Sequence, residues 1–282
     1  MTTWTACGVA CAALVAGFTQ VPQFRTLVKE VRVDVLVTNK GQPVTGLTVA
    51  DFEVRDNGVL QRINSLTSEE LPVNVILVLD VSASVEGERL QHLRQAGHLL
   101  LSALRLTDQA ALVRFADTVG IGPALTSDAA SVEAALASPT QGSDTPLVDA
   151  AASALILASV SPGPRALVLV FSDGVEVSSY LTRTEVLETA KRSDAVVYGV
   201  TLDKSHQTIL GDLAETTGGE VIRLDKVNDL DTAFARVLDR FRHRYVLSFT
   251  PASDSAPGWH RLEVRVKPRG VKVTARAGYF GG

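Results

Sequence analysis

Residues 74–90 read NVILVLDVSASVEGERL, and this stretch decides the fold. Val75 to Leu79 is an unbroken apolar run of strand length. That is the pattern of a strand buried on both faces of a parallel sheet. Asp80 ends the run, and Ser82 and Ser84 follow at two-residue spacing. Ligands of open α/β sheets bind beyond the carboxyl ends of the strands. A carboxylate and two hydroxyls at that place therefore mark a candidate binding site.

Helical and strand patterns alternate downstream. Leu90, Leu93, Gly97, Leu100 and Leu104 recur at three- and four-residue steps, which predicts an amphipathic helix. Further strands are expected at 110–115, 166–171, 195–200 and 220–224. Further helices are expected at 129–137, 147–158, 184–191, 206–216 and 230–241, with Thr182 as an N-cap. Such alternation means βαβ units. Residues 71–243 therefore read as an α/β domain with a Rossmann-like, doubly wound, mostly parallel sheet.

The flanks have a different period. Val31, Val33, Val35 and Val37 alternate with Glu30, Arg32, Asp34 and Leu36, a half-buried strand. Asp56-Asn57-Gly58 separates apolar segments at 52–55 and 59–63, a hairpin signal because Asn-Gly accepts positive φ. Near the other end, a strand is expected at 245–250. Leu262, Val264 and Val266 alternate with charged neighbours, and Pro268-Arg269-Gly270 turns the chain into Val271 and Val273. Neither flank, at about 40 residues, buries an adequate core alone. The two are expected to pair as one small discontinuous β-sandwich-like domain, 27–66 with 244–282, with the α/β domain inserted between them. No repeat of fixed period is visible.

Composition narrows the function classes. The 282 residues are 46% hydrophobic and 21% charged, as in a folded globular protein. Against 31 acidic side chains stand 27 basic ones, for a net charge of −4. This argues against a general nucleic-acid binder, which needs a basic surface. The two cysteines, Cys7 and Cys11, both lie in the opening segment, so no thiol chemistry is available beyond them. That segment, MTTWTACGVACAALVAGFTQ, is small or apolar and uncharged from Ala6 to Phe18. It falls short of the roughly 20 residues a membrane span requires. It resembles the core of a secretory signal, although the first basic residue is Arg25. Residues 1–20 are therefore expected to be a signal peptide, and the protein to be exported to the periplasm or beyond with no integral membrane span. The alternatives are an N-terminal helix, or a lipid anchor at Cys11. The anchor is the weaker because Gly8-Val9-Ala10 lacks a large apolar residue.

Three loops carry oxygen donors. They are Asp80-Val81-Ser82-Ala83-Ser84, Gly142-Ser143-Asp144-Thr145 before the third helix, and Ser172-Asp173-Gly174 after the most apolar strand. Carboxylate, hydroxyl and water are the ligands a hard divalent cation prefers. Two serines at i and i+2 in an extended turn can face one point, and Asp80 and Asp173 would neutralise charge there.

With these residues in place, the chain resembles the von Willebrand factor type A domains. Asp80-Val81-Ser82-Ala83-Ser84 matches their D-x-S-x-S signature. Thr145 and Asp173 stand where that family places its other ligands, in the metal-ion-dependent adhesion site. The flanking segments look like the acidobacterial type of von Willebrand factor A-related proteins. The resemblance implies that Ser82, Ser84 and Thr145 touch a divalent cation, with Asp80 and Asp173 binding directly or through water. Mg²⁺ is the first expectation, with Mn²⁺ or Ca²⁺ as alternatives. It implies an open coordination position for an Asp or Glu of a partner protein, and recognition rather than catalysis. One departure is Asp144, where many relatives carry glycine; it is expected to face solvent.

Other readings compete. Asp80, Ser82 and Thr145 are also good helix-capping residues, and Asp149 suits the first turn of a helix. A structural module with a degenerate metal site is the second functional reading. A serine hydrolase using Ser82 or Ser84 is the third. It is disfavoured because the context is not G-x-S-x-G and His92, His98, His206, His243 and His260 form no recognisable partner set. No glycine-rich nucleotide motif follows a strand. The cluster Arg236, Arg240, Arg242, His243 and Arg244 is expected to be a solvated helix face and strand entry.

Overall fold

The computed structural model describes residues 30–68, 71–138, 142–160, 165–172, 176, 178–202, 209–251 and 257–281. The expected signal segment and Asp173 lie outside them.

The first flank forms β1 (Val31–Asn39), β2 (Gln42–Pro43), β3 (Phe52–Asp56), β4 (Val59–Gln61) and β5 (Ile63–Thr67). The middle of the chain begins with β6 (Asn74–Asp80), α1 (Glu88–Ser102), β7 (Gln109–Phe115) and β8 (Val119–Ile121). It continues with α2 (Ala129–Ala137), α3 (Leu147–Val160), β9 (Ala166–Ser172) and α4 (Arg183–Arg192). It closes with β10 (Val196–Thr201), α5 (Ile209–Thr217), β11 (Val221–Arg223) and α6 (Leu230–Arg242). The last flank gives β12 (Tyr245–Phe249), β13 (Gly258–Val266), β14 (Lys272–Thr274) and β15 (Gly278–Gly281).

The central sheet runs β11-β10-β9-β6-β7-β8 and is parallel except for β8, which pairs antiparallel with β7. The strand order reverses between β6 and β9, so the crevice of a doubly wound sheet opens at their carboxyl ends. All seven residues of β6 are buried, as its unbroken apolar run requires. One core lies under α1, α2 and α6, and holds Leu77, Leu79, Leu93, Phe171, Phe234 and Phe241. A second lies under α3, α4 and α5, and holds Ile76, Val78, Val113, Ala151, Leu155 and Leu213. Helices therefore cover both faces. Among the described residues no helix is long and apolar enough to cross a membrane.

Strands of the two flanks pair with one another in two antiparallel sheets. One is ordered β14-β1-β12-β5, with β2 added on β1; the other is β15-β13-β3-β4. The alternating valines Val31, Val33, Val35 and Val37 share a core with Phe52, Val54, Leu247, Leu262 and Tyr279. The opposite face of β1 meets the α/β unit. There Asp34 takes two hydrogen bonds from Arg165, at 2.8 and 2.5 Å. Arg244, only 1% exposed, donates to Tyr198 Oη at 2.9 Å and to the carbonyls of Gly218 and Asp34.

Several sequence expectations need adjustment. The segment 59–63 is not one strand. The chain leaves β4 at Gln61 and enters β5 at Ile63, and the two strands belong to different sheets. The edge strand β8 and the closing strand β15 were not anticipated. The expected helix at 206–216 is described from Ile209, and its first residues lie outside the described set. The basic cluster is only partly a solvated face. Arg236 and His243 are exposed, but Arg240 pairs with Glu220 at 2.5 Å, Arg242 pairs with buried Asp108 at 2.7 Å, and Arg244 is buried between the units.

Candidate functional site

Three loops meet at the carboxyl ends of β6 and β7 and the amino end of α3. Asp80 closes β6 and is fully buried. Its Oδ1 accepts the Ser82 backbone N–H at 3.1 Å and the Ser82 hydroxyl at 2.6 Å. Its Oδ2 accepts the Ser172 hydroxyl at 2.8 Å. Ser82 and Ser172 are each 1% exposed. A carboxylate survives burial only with such donors, and they fix its plane. Because Ser82 gives its proton to Asp80, the oxygen lone pairs remain for an electrophile.

The D-x-S-x-S loop is tied at both ends. Val81 N–H donates to Phe115 O at 3.0 Å, which anchors it to β7. Ala83 N–H donates to Gly142 O at 2.9 Å, which anchors it to the loop before α3. Ser84 lies on the single 3-10 turn Ala83–Val85. Gly142 has φ +150°, and a Cβ there would lie 2.5 Å from Asp117 N and 2.8 Å from Ala116 Cβ. Only glycine permits this approach.

Thr145 is 5% exposed and stands two residues before α3. Its carbonyl accepts the Leu147 N–H at 2.9 Å, which ties it to the first turn of α3. Asp144 is exposed, and its backbone N–H donates to Asp117 Oδ1 at 3.1 Å. The structure thus brings Asp80, Ser82 and Thr145 onto loops bonded to each other. Asp173, next in sequence after the last residue of β9, is outside the described residues.

Sequence reading missed three supporting residues. Ser172 was part of a quoted motif but had no role. Asp117 stands two residues past β7, much as Asp80 closes β6, so a similar strand-then-acid signal was present in Phe115-Ala116-Asp117. The backbone N–H groups of Asp144 and Ser143 hold the Asp117 carboxyl below the usual carboxylate range. Glu176 accepts the Val148 N–H at 2.8 Å with one oxygen, and the N–H groups of Ser178 and Ser179 with the other. It occupies the open end of α3, where acidic groups are favoured. Asp149 does more than complement that helix end, since it accepts the N–H groups of Tyr180 and Leu181, both at 2.9 Å.

Among the described residues no group of three or more His, Cys, Asp or Glu is placed to hold a metal. The donors are hydroxyls around one buried carboxylate. This set of hard oxygens fits a hard divalent cation that keeps part of its water.

A family model of the von Willebrand factor type A domain matches residues 74–236, more than half of the chain, and the chain belongs to that family. Solved structures show the same fold. The von Willebrand factor domain of the type V pili tip protein Mfa5 from Porphyromonas gingivalis aligns at TM-score 0.50 and 13% identity, over 61% of this chain and 95% of that one. The D319A mutant of the PilB minor pilin from Streptococcus sanguinis aligns at 0.52 and 11%, over 63% of each chain. Proximal thread matrix protein 1 from the mussel byssus, with a zinc-occupied MIDAS motif, aligns at 0.51 and 14%, over 68% of this chain and 50% of that one. The chain thus spans less than two thirds of the latter two proteins. No curated protein sequence matches it.

Proposed function

We propose that this chain is a metal-ion-dependent protein-recognition module, with a divalent cation held by Asp80, Ser82, Ser84, Thr145 and Asp173. The observation that carries this reading is the buried, pre-oriented Asp80 carboxylate at the strand switch point, on a loop hydrogen-bonded to the one that carries Thr145. When bound, the cation supplies an electrophilic position for an Asp or Glu side chain of the partner. Asp80 supplies charge in an orientation set by Ser82 and Ser172. Ser82 and Thr145 supply neutral oxygens, so the site keeps net attraction for an outside carboxylate. The tethered loops keep these donors in place before the ligand arrives, which lowers the ordering cost of binding.

Mg²⁺ is the cation this set suits first, with Mn²⁺ and Ca²⁺ next; the mussel protein of like fold is described with zinc. Recognition, not catalysis, is the role assigned. The likeness to a pilin and a pilus tip protein supports an exported location. Calorimetric titration of Mn²⁺ into the chain tests the reading. One saturable site is expected, lost in Asp80→Ala and in Thr145→Ala. A flat titration of the parent, or equal binding by both variants, would remove its basis.

A further inference from the structure

At the pole opposite Asp80, the amino ends of β9 and β10 meet β1 across a cavity of about 340 Å³. That volume is at the small end of the range for small-molecule sites. Four arginines line it, Arg32, Arg165, Arg192 and Arg276, with two aspartates, Asp34 and Asp194. The charged side chains of the lining therefore sum to +2, in a chain whose net charge is −4.

The pairing inside the cavity leaves cationic capacity unused. Asp34 is held by Arg165, and Asp194 by Arg276 at 2.6 Å. Arg32 and Arg192 form no ion pair within 4 Å among the described residues, although Arg32 lies near enough to Glu30 to help lower its pKa after the Ser248 and Asn64 hydrogen bonds. Arg192 instead lies over the Phe280 ring, 4.1 Å from its centroid. Arg165 is 1% exposed in its side chain, and its Nε and Nη2 are spent on Asp34 and the Phe241 carbonyl, so it contributes charge at the cavity floor. An oxyanion in the cavity would neutralise the surplus charge, and the forks of Arg32 and Arg192 match such oxygens in geometry.

We infer that this cavity is a binding site for a small doubly charged oxyanion, seated between the central sheet and the β1 sheet. Its chemistry is that of a phosphoryl group or a compact dicarboxylate. It is independent of the metal site, since its lining comes from the amino ends of the strands and the metal site from their carboxyl ends.

The test is calorimetric titration of the full chain with inorganic phosphate and, separately, with succinate, both in EDTA. One saturable site for at least one anion is expected, and the tighter of the two assigns phosphoryl or carboxylate chemistry. Arg32→Gln with Arg192→Gln, both at solvent-reaching positions, should weaken it by about tenfold or more. Asp194→Asn, which raises the lining by one positive charge, should tighten it. Asp80→Ala should leave it unchanged, which separates this site from the proposed metal centre. Absence of saturable binding to about 10 mM, where even a millimolar site fills, overturns the inference. So does binding that the double variant retains in full.

Discussion

Asp80 and Asp108 show how burial and function diverge for one residue type. Both are buried aspartates at the ends of central strands. Asp108 is a structural clasp. It accepts the N–H groups of Val73 and Arg105 and pairs with Arg242 at 2.7 Å. Burial pushes its pKa up, but those donors and the guanidinium outweigh burial and hold it below the usual value. A depressed folded pKa gives stability that is fully present above the unfolded value of about 3.9 and is lost as pH falls through the folded one. Asp108→Asn should therefore cost about 3 kcal/mol at neutral pH and flatten the acid limb of the stability curve. Urea unfolding from pH 7 to 3 reads both effects. Gly142 is the other decisive residue. Gly142→Ala would drive a methyl into Asp117 N from a left-handed backbone, at a cost of about 1–3 kcal/mol. It should also weaken metal binding, because Gly142 O holds the D-x-S-x-S loop. Among single residues, the sequence offered Asp80, Ser82 and Thr145 as candidates through motif and strand position. It did not show Ser172, Asp117 or Glu176, because their roles depend on which loops meet in space.

Elements were most legible where one period dominated. β6 and β9 could be read as buried strands from their apolar runs, and both sit at the centre of the sheet. The helix at 183–192 carried its own start signal. Thr182 accepts the Glu185 N–H, and Glu185 accepts the Thr182 N–H and hydroxyl, a capping box. Thr182→Ala should cost about 1 kcal/mol, read by thermal unfolding. The missed elements were short and at edges. β8 has three residues and pairs on one side only, so its sequence carries no burial pattern. The break between β4 and β5 was invisible because Val59–Gln61 and Ile63–Thr67 are both strand-like, and only tertiary pairing sends them to different sheets.

At the scale of the whole molecule, two buried arginines fasten the inserted unit to the flanking strands. Arg244 reaches Tyr198 and Gly218 on one side and Asp34 and Thr274 on the other. Burial raises the Tyr198 pKa despite the nearby Arg244 charge, so the phenol stays protonated. Asp34→Ala removes the carboxylate that offsets buried Arg165 and should cost about 3 kcal/mol in chemical denaturation. The sequence suggested surface for Arg240, Arg242 and Arg244; the fold turns these inward because carbonyls and acids from distant segments converge on them, while Arg236 and His243 stay exposed. The proposed metal site lies at the far end of the same sheet, so its geometry rests on the loops around β6 rather than on this junction.

The proposed recognition function depends on a divalent cation bound at Asp80. Thermal unfolding of the chain in EDTA and in Mg²⁺, beside Asp80→Ala, tests it most directly. A ligand of the folded state stabilises by about 2.7 kcal/mol at a hundredfold excess over Kd. A clear rise in Tm is expected for the parent with Mg²⁺ and none for Asp80→Ala. No rise at about 10 mM Mg²⁺, or an equal rise in the variant, would contradict it.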